Sequence, residues 1–257
     1  MVVTYEGGAA PVYEVANIAE FLAVADAEHS TTITGEIPFV YKSSSFTLWQ
    51  DESGALITRG GSFPSGSMRN GSRFKGVAAK YLKVKNIPGG DAPVIPTEFT
   101  AGEAVSPKAV TPAEFQTTSY ATYVEISDVH VNPTVFDATK TNVDLFSDAE
   151  CTEDNKVILM DSFSLFGGKL GEQFRAEYAY KVTGFVGANS TGARQFWPIE
   201  VVETGKINDT TGIDGVNADN TTPAEYYNLQ GIRVANPQAG GIYIMKQGKT
   251  VTKIVKD

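Results

Sequence analysis

The feature that most constrains this chain is an order of segments that occurs twice. Residues 73–85 alternate apolar and polar side chains over a long stretch, with Phe74, Val77, Leu82 and Val84 apolar and Gly76 inside the run. A loop and a closing segment holding Pro96 follow it. Residues 173–186 repeat the long run with Gly184 inside, and residues 195–202 close it with Pro198. Period-two alternation describes a strand, and a glycine within such a strand marks a bulge or a sharp bend. The two stretches read as a divergent internal repeat of roughly 90–100 residues.

The flanking segments complete each copy. In the first, residues 32–41 form a strand with Ile33, Ile37 and Phe39 apolar, and residues 42–45 break it. Residues 46–50 resume it, with Phe46 and Leu48 on one face. Residues 51–54 form a turn in which Asp51 bonds nearby backbone and Gly54 takes a positive φ, and residues 55–59 return. After the long strand, residues 87–93 read as a loop and 94–99 as the closing strand. The second copy has strands at 123–131, 143–146, 156–166, 173–186 and 195–202, after the proline-punctuated stretch 106–112. One short helix precedes both, with Val15, Ile18, Leu22 and Ala25 on one face. Five strands in this order predict a five-stranded Greek-key barrel, the OB-fold. The expected fold is all-β: two tandem OB-like five-stranded barrels, a small C-terminal β domain and one short N-terminal helix. The boundaries expected are 1–112, 113–205 and 206–257.

The first copy resembles the OB-like domains of secreted Bacteroidetes proteins, on residues 19–23 (AEFLA), 32–37 (TITGEI) and above all 46–56 (FTLWQDESGAL). The tail, residues 226–256, fills nearly every slot of the pattern YNLxGxRV…P…GxYIxxxGK…KxxK. That pattern resembles the C-terminal sorting-type domain of Bacteroidetes surface proteins. The resemblance implies export by the type IX route or descent from it. Locally the tail reads as short strands at 226–229, 233–234, 241–245 and 251–255, with turns at Gly231, Gly240–Gly241 and Gln247–Gly248. The polar run 208–222 stands where longer versions carry further strands. The start shows no basic region followed by an apolar one, so the exported reading requires a signal that precedes it.

Composition narrows the chemistry. Thirty acidic against 21 basic residues give a net charge of -9, which repels nucleic acid and anionic membrane at long range. No apolar run approaches the ~20 residues of a membrane helix. The single cysteine, Cys151, excludes an internal disulfide and zinc sites built on several thiolates. It sits among Asp148, Glu150, Glu153 and Asp154, which disfavour the thiolate. His29 and His130 lie in different copies without metal-ligand spacing. The carboxylate pairs Asp51/Glu52, Asp148/Glu150 and Glu153/Asp154 are sequence neighbours, whereas glycosidases need two acids about 5–9.5 Å apart across a cleft. Asp209, Asp214 and Asp219 are too sparse for a calcium loop and read as a solvated linker. No catalytic, metal or cofactor site is therefore expected.

A binding role has more to draw on. OB-folds bind over their second and third strands, framed by the first and last loops. Carried onto the first copy, that surface holds Thr47, Trp49 and Arg59, framed by residues 42–45 and 87–93. Trp49 is out of phase with Phe46 and Leu48, which faces it away from the core as a stacking platform. The other reading packs it against the second copy or the N-terminal helix, and the residues favour that one. Arg69, Arg73, Lys75, Lys80, Lys83 and Lys85 form a basic stripe, with Arg73 and Lys75 as ligand candidates. The second copy, residues 113–205, carries 6 basic and 14 acidic residues, a difference of -8 that also suits pairing with this stripe. The expected function is a non-enzymatic exported binding or scaffolding module for glycan or protein. An oligonucleotide-binding OB protein and a hydrolase with its site between the copies are the rivals.

Overall fold

In the computed structural model, which describes residues 13–64, 68–207, 224–235, 237–247 and 250–255, the amphipathic run near the front divides at Asn17. Val15 belongs to a strand, β1 (Tyr13–Val15), and helix α1 spans Ile18–Val24. Asn17 has extended backbone (φ -152°), and its side chain accepts the Glu20 N–H at 2.9 Å, so it is the N-cap. The expected turn at residues 51–54 completes the cap. Asp51 Oδ1 accepts the N–H groups of Ser53 and Gly54, while its Oδ2 accepts the Ile18 N–H at 3.1 Å. Ser53 Oγ takes the Ala19 N–H at 3.0 Å. The Asp51 carboxylate shapes this turn without a positive φ at Gly54.

The first barrel consists of β2 (Thr31–Lys42), β3 (Phe46–Gln50), β4 (Ala55–Arg59), β5 (Arg73–Val84) and β6 (Ile87–Val94). Its order is β2-β3-β4-β6-β5, closed by a β5–β2 pairing, with β4 and β6 parallel and the other barrel pairs antiparallel. Gly76 has φ +88°, and the β2–β5 register slips opposite it, as an internal glycine predicts. The closing strand corrects the sequence reading. Residues 87–93, expected as a framing loop, are themselves β6, and 95–99 lie beyond it. Lys85 and Asn86 both take positive φ (48° and 63°), making the two-residue hairpin that turns β5 into β6. Gly89 and Gly90 are used for close approach: a Cβ on Gly89 would lie 2.3 Å from the Ile57 carbonyl oxygen. Residues that resemble a loop thus form the strand that crowds against β4.

The second barrel repeats the topology with β8 (Tyr123–Val131), β9 (Asn142–Phe146), β10 (Lys156–Met160), β11 (Tyr178–Ala188) and β12 (Arg194–Lys206). Its order is β8-β9-β10-β12-β11, closed by β11–β8, and β10 and β12 are parallel. A two-residue strand β7 (Lys108–Ala109) and a one-turn helix α2 (Pro112–Phe115), capped by Thr111, lead into it. β10 ends at Met160, short of the expected 166, because the Asp161 carboxylate accepts the Leu165 and Phe166 N–H groups and folds a turn. Gly184 stands opposite Pro198 in register, and a Cβ there would lie 2.2 Å from the Trp197 carbonyl oxygen. The repeat's glycine and proline therefore meet in both barrels, since Pro96 is the nearest neighbour of a Cβ built on Gly76.

The interior of the first barrel holds Ile33, Ile37, Trp49, Leu56, Phe74 and Val77, capped by Ile18 and Phe21 of α1. The interior of the second holds Val124, Leu145, Leu159, Val182 and Phe196. A third buried cluster joins the two barrels. Val40, Leu48, Ala55, Ile57, Val84 and Ile87 meet Phe163, Phe185, Ala188 and Trp197 there. Tyr123 stacks on Phe185 at 5.1 Å, and Tyr41 approaches Phe163 at 5.2 Å. Burial pushes both phenols up from their ordinary pKa. The barrels form one unit ending at Ile207, and the chain from Asn208 is a second.

That second unit is a three-stranded antiparallel sheet of β13 (Glu225–Tyr227), β14 (Ile242–Gln247) and β15 (Thr250–Val255). Asn228 makes its first turn, its Oδ1 accepting the N–H groups of Gln230 and Ile232, and Gly231 takes φ +81°. Arg233 bridges back to Tyr227 and pairs with Glu225 at 2.9 Å. Gly248 and the linker aspartates Asp209, Asp214 and Asp219 lie outside the described residues.

Candidate functional site

Strand phase decides which side chains a ligand can reach. Thr47 and Trp49 point into the first barrel and are buried, so neither serves as a ligand platform: Trp49 is fully enclosed in the cluster that holds Ile18 and Phe21 of α1, as the packed reading of this residue expects, though it faces the core rather than away from it. Its Nε1 donates to Thr58 Oγ1 at 3.1 Å, and Phe63 stacks on its indole at 5.9 Å. Phe46 and Leu48 occupy the outer face of β3, where they join the cluster shared with the second barrel. Both faces of β3 are apolar and covered, so alternation along it offers no polar face from which the inward side could be told. The surface over β3 and β4 that OB-folds commonly use is thus packed against the second barrel. The space between the barrels, where the rival hydrolase reading places its site, holds the aromatic rings of that same cluster.

The remaining candidates separate. Arg59 lies opposite Asp91 in register and forms an ion pair with it at 3.0 Å, tying β4 to β6. Arg73 and Lys75 stay together on the outer side of β5, with Glu36 of β2 beside Lys75. They border two open hollows of about 700 and 730 Å³ that have Arg73 and Glu36 in common.

A strap formed by residues 96–105 builds those hollows. It leaves the end of β6 and recrosses the barrel beside β5. Thr100 pairs with Arg73 through both backbone bonds, at 2.9 and 3.0 Å. The Asn70 side-chain amide holds Val105 on both sides, donating to its carbonyl and accepting its N–H at 2.9 Å each. Gly71 and Gly102 permit the close passage between these clamps. A Cβ on Gly71 would lie 2.2 Å from the Glu103 carbonyl oxygen, and one on Gly102 would lie 2.5 Å from Arg73 Nε. The guanidinium stem therefore rests against the strap backbone and divides the groove. On one side are Pro96, Thr97, Glu98, Phe99 and Thr100; on the other are Asp51, Glu52, Glu103 and Ala104. Phe99 is half-buried, with one ring stacked on Phe74 at 5.2 Å. Among the described residues no carboxylate closes an ion pair with Arg73 or Lys75.

Arg73 and Lys75 stand out in the sequence as part of the basic stripe, whereas Glu36, Phe99 and the strap carry no comparable local signal. Phe99 ends the expected closing strand 94–99, and the Asn70–Val105 clamp joins positions far apart in the chain. The other titratable candidates have structural partners. His29 Nδ1 lies 3.0 Å from the Asp26 carboxylate, and His130 Nδ1 lies 3.1 Å from the Val131 carbonyl oxygen. Burial, followed by Asp148 and Glu150, pushes the Cys151 thiol up. Asp148 accepts from Thr152 and Asn155, and Glu153 pairs with Lys156, so these carboxylates organise the loop before β10. No helix among the described residues is long and apolar enough to cross a membrane. The fold and the groove together define a tandem OB-like barrel protein with a strap-bounded surface groove. No protein-family model matches the chain, and no curated protein matches it.

Proposed function

We propose that this chain is an exported, non-enzymatic binding module whose two barrels act as one rigid body and whose ligand, a glycan or a protein segment, sits in the strap groove around Arg73. The observation that carries the reading is the clamped strap. Two bonds at Thr100 and two at Asn70 hold residues 100–105 over β5, so the groove exists before any ligand arrives. A preformed concave site avoids the ordering cost that a flexible loop would add on binding. Export rests on the resemblance of the tail to sorting-type domains, and a separate C-terminal sheet after a polar run is compatible with it.

The rival readings find less support. Oligonucleotide binding over β3 and β4 needs an exposed aromatic ring there, and Trp49 is enclosed. A hydrolase with its site between the barrels would share that space with Phe163, Phe185 and Trp197. The test is amide NMR of the full chain against pooled oligosaccharides, peptides and single-stranded oligonucleotides. Binding that shifts Arg73, Thr100 and Phe99 and is lost in Arg73→Ala supports the reading. Shifts confined to other surfaces, or cleavage of an added ligand, would sink it. Surface proteolysis of the native bacterium tests export, since protection of the chain in intact cells contradicts a surface location.

A further inference from the structure

Resting on the groove reading above, we infer that the groove around Arg73 takes a neutral oligosaccharide rather than an acidic polymer or a peptide. Charge narrows the choice first. The groove is lined by five carboxylates, Glu36, Asp51, Glu52, Glu98 and Glu103, against the two cations Arg73 and Lys75. The excess of acids over bases is three, within a chain of net charge -9. Uronate, sulfate or phosphate polymers meet repulsion over most of such a surface. The basic stripe further along β5 lies on the strand's continuation and lines neither hollow.

The chemistry of the lining points the same way. A sugar hydroxyl donates one hydrogen bond and accepts others, so a wall that mixes carboxylates with a guanidinium satisfies both roles. Arg73 brings its N–H donors without a carboxylate already bound to them, and its stem is fixed against Gly102. Phe99 adds the apolar element. One face of its ring stacks on Phe74, and the residue lines the hollow where the C–H face of a pyranose would rest. Hollows on both sides of one positioned cation fit consecutive rings of an oligomer better than a single sugar. A peptide bound by strand addition would need an unpaired strand edge, and one bound as an amphipathic helix would need an apolar groove. Here the backbone of Arg73 is already paired with Thr100, and Glu36 and Lys75 lie opposite each other within the β2–β5 ladder.

The experiment titrates the full chain calorimetrically with neutral α- and β-linked hexasaccharides, oligogalacturonate, heparin hexasaccharide and a pooled peptide set. The expected result is binding of at least one neutral hexasaccharide, with an affinity that stays constant between low and high salt. Arg73→Met and Phe99→Ala should each weaken it about tenfold, as loss of a charge-assisted bond or a stacking ring does. Thr97→Trp, at an exposed wall position, should block it without touching the core. Lys80→Ala, on the same strand but outside the groove, should leave it unchanged. Absence of binding by every neutral hexasaccharide overturns the inference. If oligogalacturonate, heparin or a peptide then binds and is lost in Arg73→Met, the groove reading survives alone. If nothing binds there, both fall.

Discussion

The two barrels share one topology but expose different faces. In the first, both sides of β3 and β4 are covered: Trp49 and Leu56 face the interior, while Leu48 and Ile57 face the second barrel. In the second, the equivalent strands β9 and β10 bury Val143, Leu145, Val157 and Leu159 but leave Asn142 and Asp144 exposed. The open hollows of the first barrel lie beside β5 and the strap rather than over β3 and β4. Repetition of a fold therefore does not repeat a site, because the face that one copy offers to solvent is what the other copy uses for packing.

The comparison breaks most visibly if the barrels are independent. Phe185 belongs to the second barrel by sequence but contacts Tyr41 of the first, and it is fully buried. Phe185→Ala should cost about 3–5 kcal/mol, the loss expected for a core aromatic ring. Calorimetry should show one transition for the two barrels, lowered as a whole. Two resolved transitions, with only the later barrel shifted, would mean that the shared cluster is a contact between separate domains.

The glycines of the repeat give a finer contrast. Gly184 is enclosed, with the Trp197 carbonyl oxygen 2.2 Å from where a Cβ would sit, so Gly184→Ala should cost about 3 kcal/mol by overpacking. Gly76 has room, its nearest neighbour being Pro96 at 3.9 Å, but its φ is +88°. Gly76→Ala should cost about 1 kcal/mol through backbone strain alone. Chemical denaturation separates the two, and equal losses would show that one mechanism governs both positions.

These glycines were legible because a glycine interrupting an alternating run is a local signal, and the strand order followed from it. What was hidden depends on contacts across the chain. Residues 87–93 carry Pro88, Gly89, Gly90 and Pro93, a composition that suits loops. Only the nearness of Ile57 explains why glycine is required within a strand there. Trp49 was placed on the wrong face because alternation shows phase but not which face a partner barrel covers. Arg73 and Lys75 stood out by charge, while the groove they border needed the strap. Its clamp joins Asn70 to Val105 and leaves no periodic trace in the sequence.

The connection between the second and third strands is where the barrels differ in the smallest measurable way. In the first barrel Asp51 both closes the turn and caps α1, so Asp51→Ala should cost about 1–2 kcal/mol. In the second, Asp148 holds only its own loop, accepting from Thr152 and Asn155. The hydrogen bonds from the Thr152 and Asn155 side chains hold its carboxyl below the ordinary value of 3.8. A carboxyl whose folded pKa is depressed stabilises the fold above its unfolded pKa and loses that contribution as pH falls through the folded one. Asp148→Asn should therefore lower stability modestly at neutral pH, where the carboxylate contributes fully, and flatten the acid limb below about pH 4 so that the two proteins converge as pH falls. Urea denaturation of both proteins between pH 2 and pH 7 measures this difference. An unchanged acid limb would show that the loop relaxes without its carboxylate, leaving the helix-capping Asp51 as the only aspartate of the pair that the fold depends on.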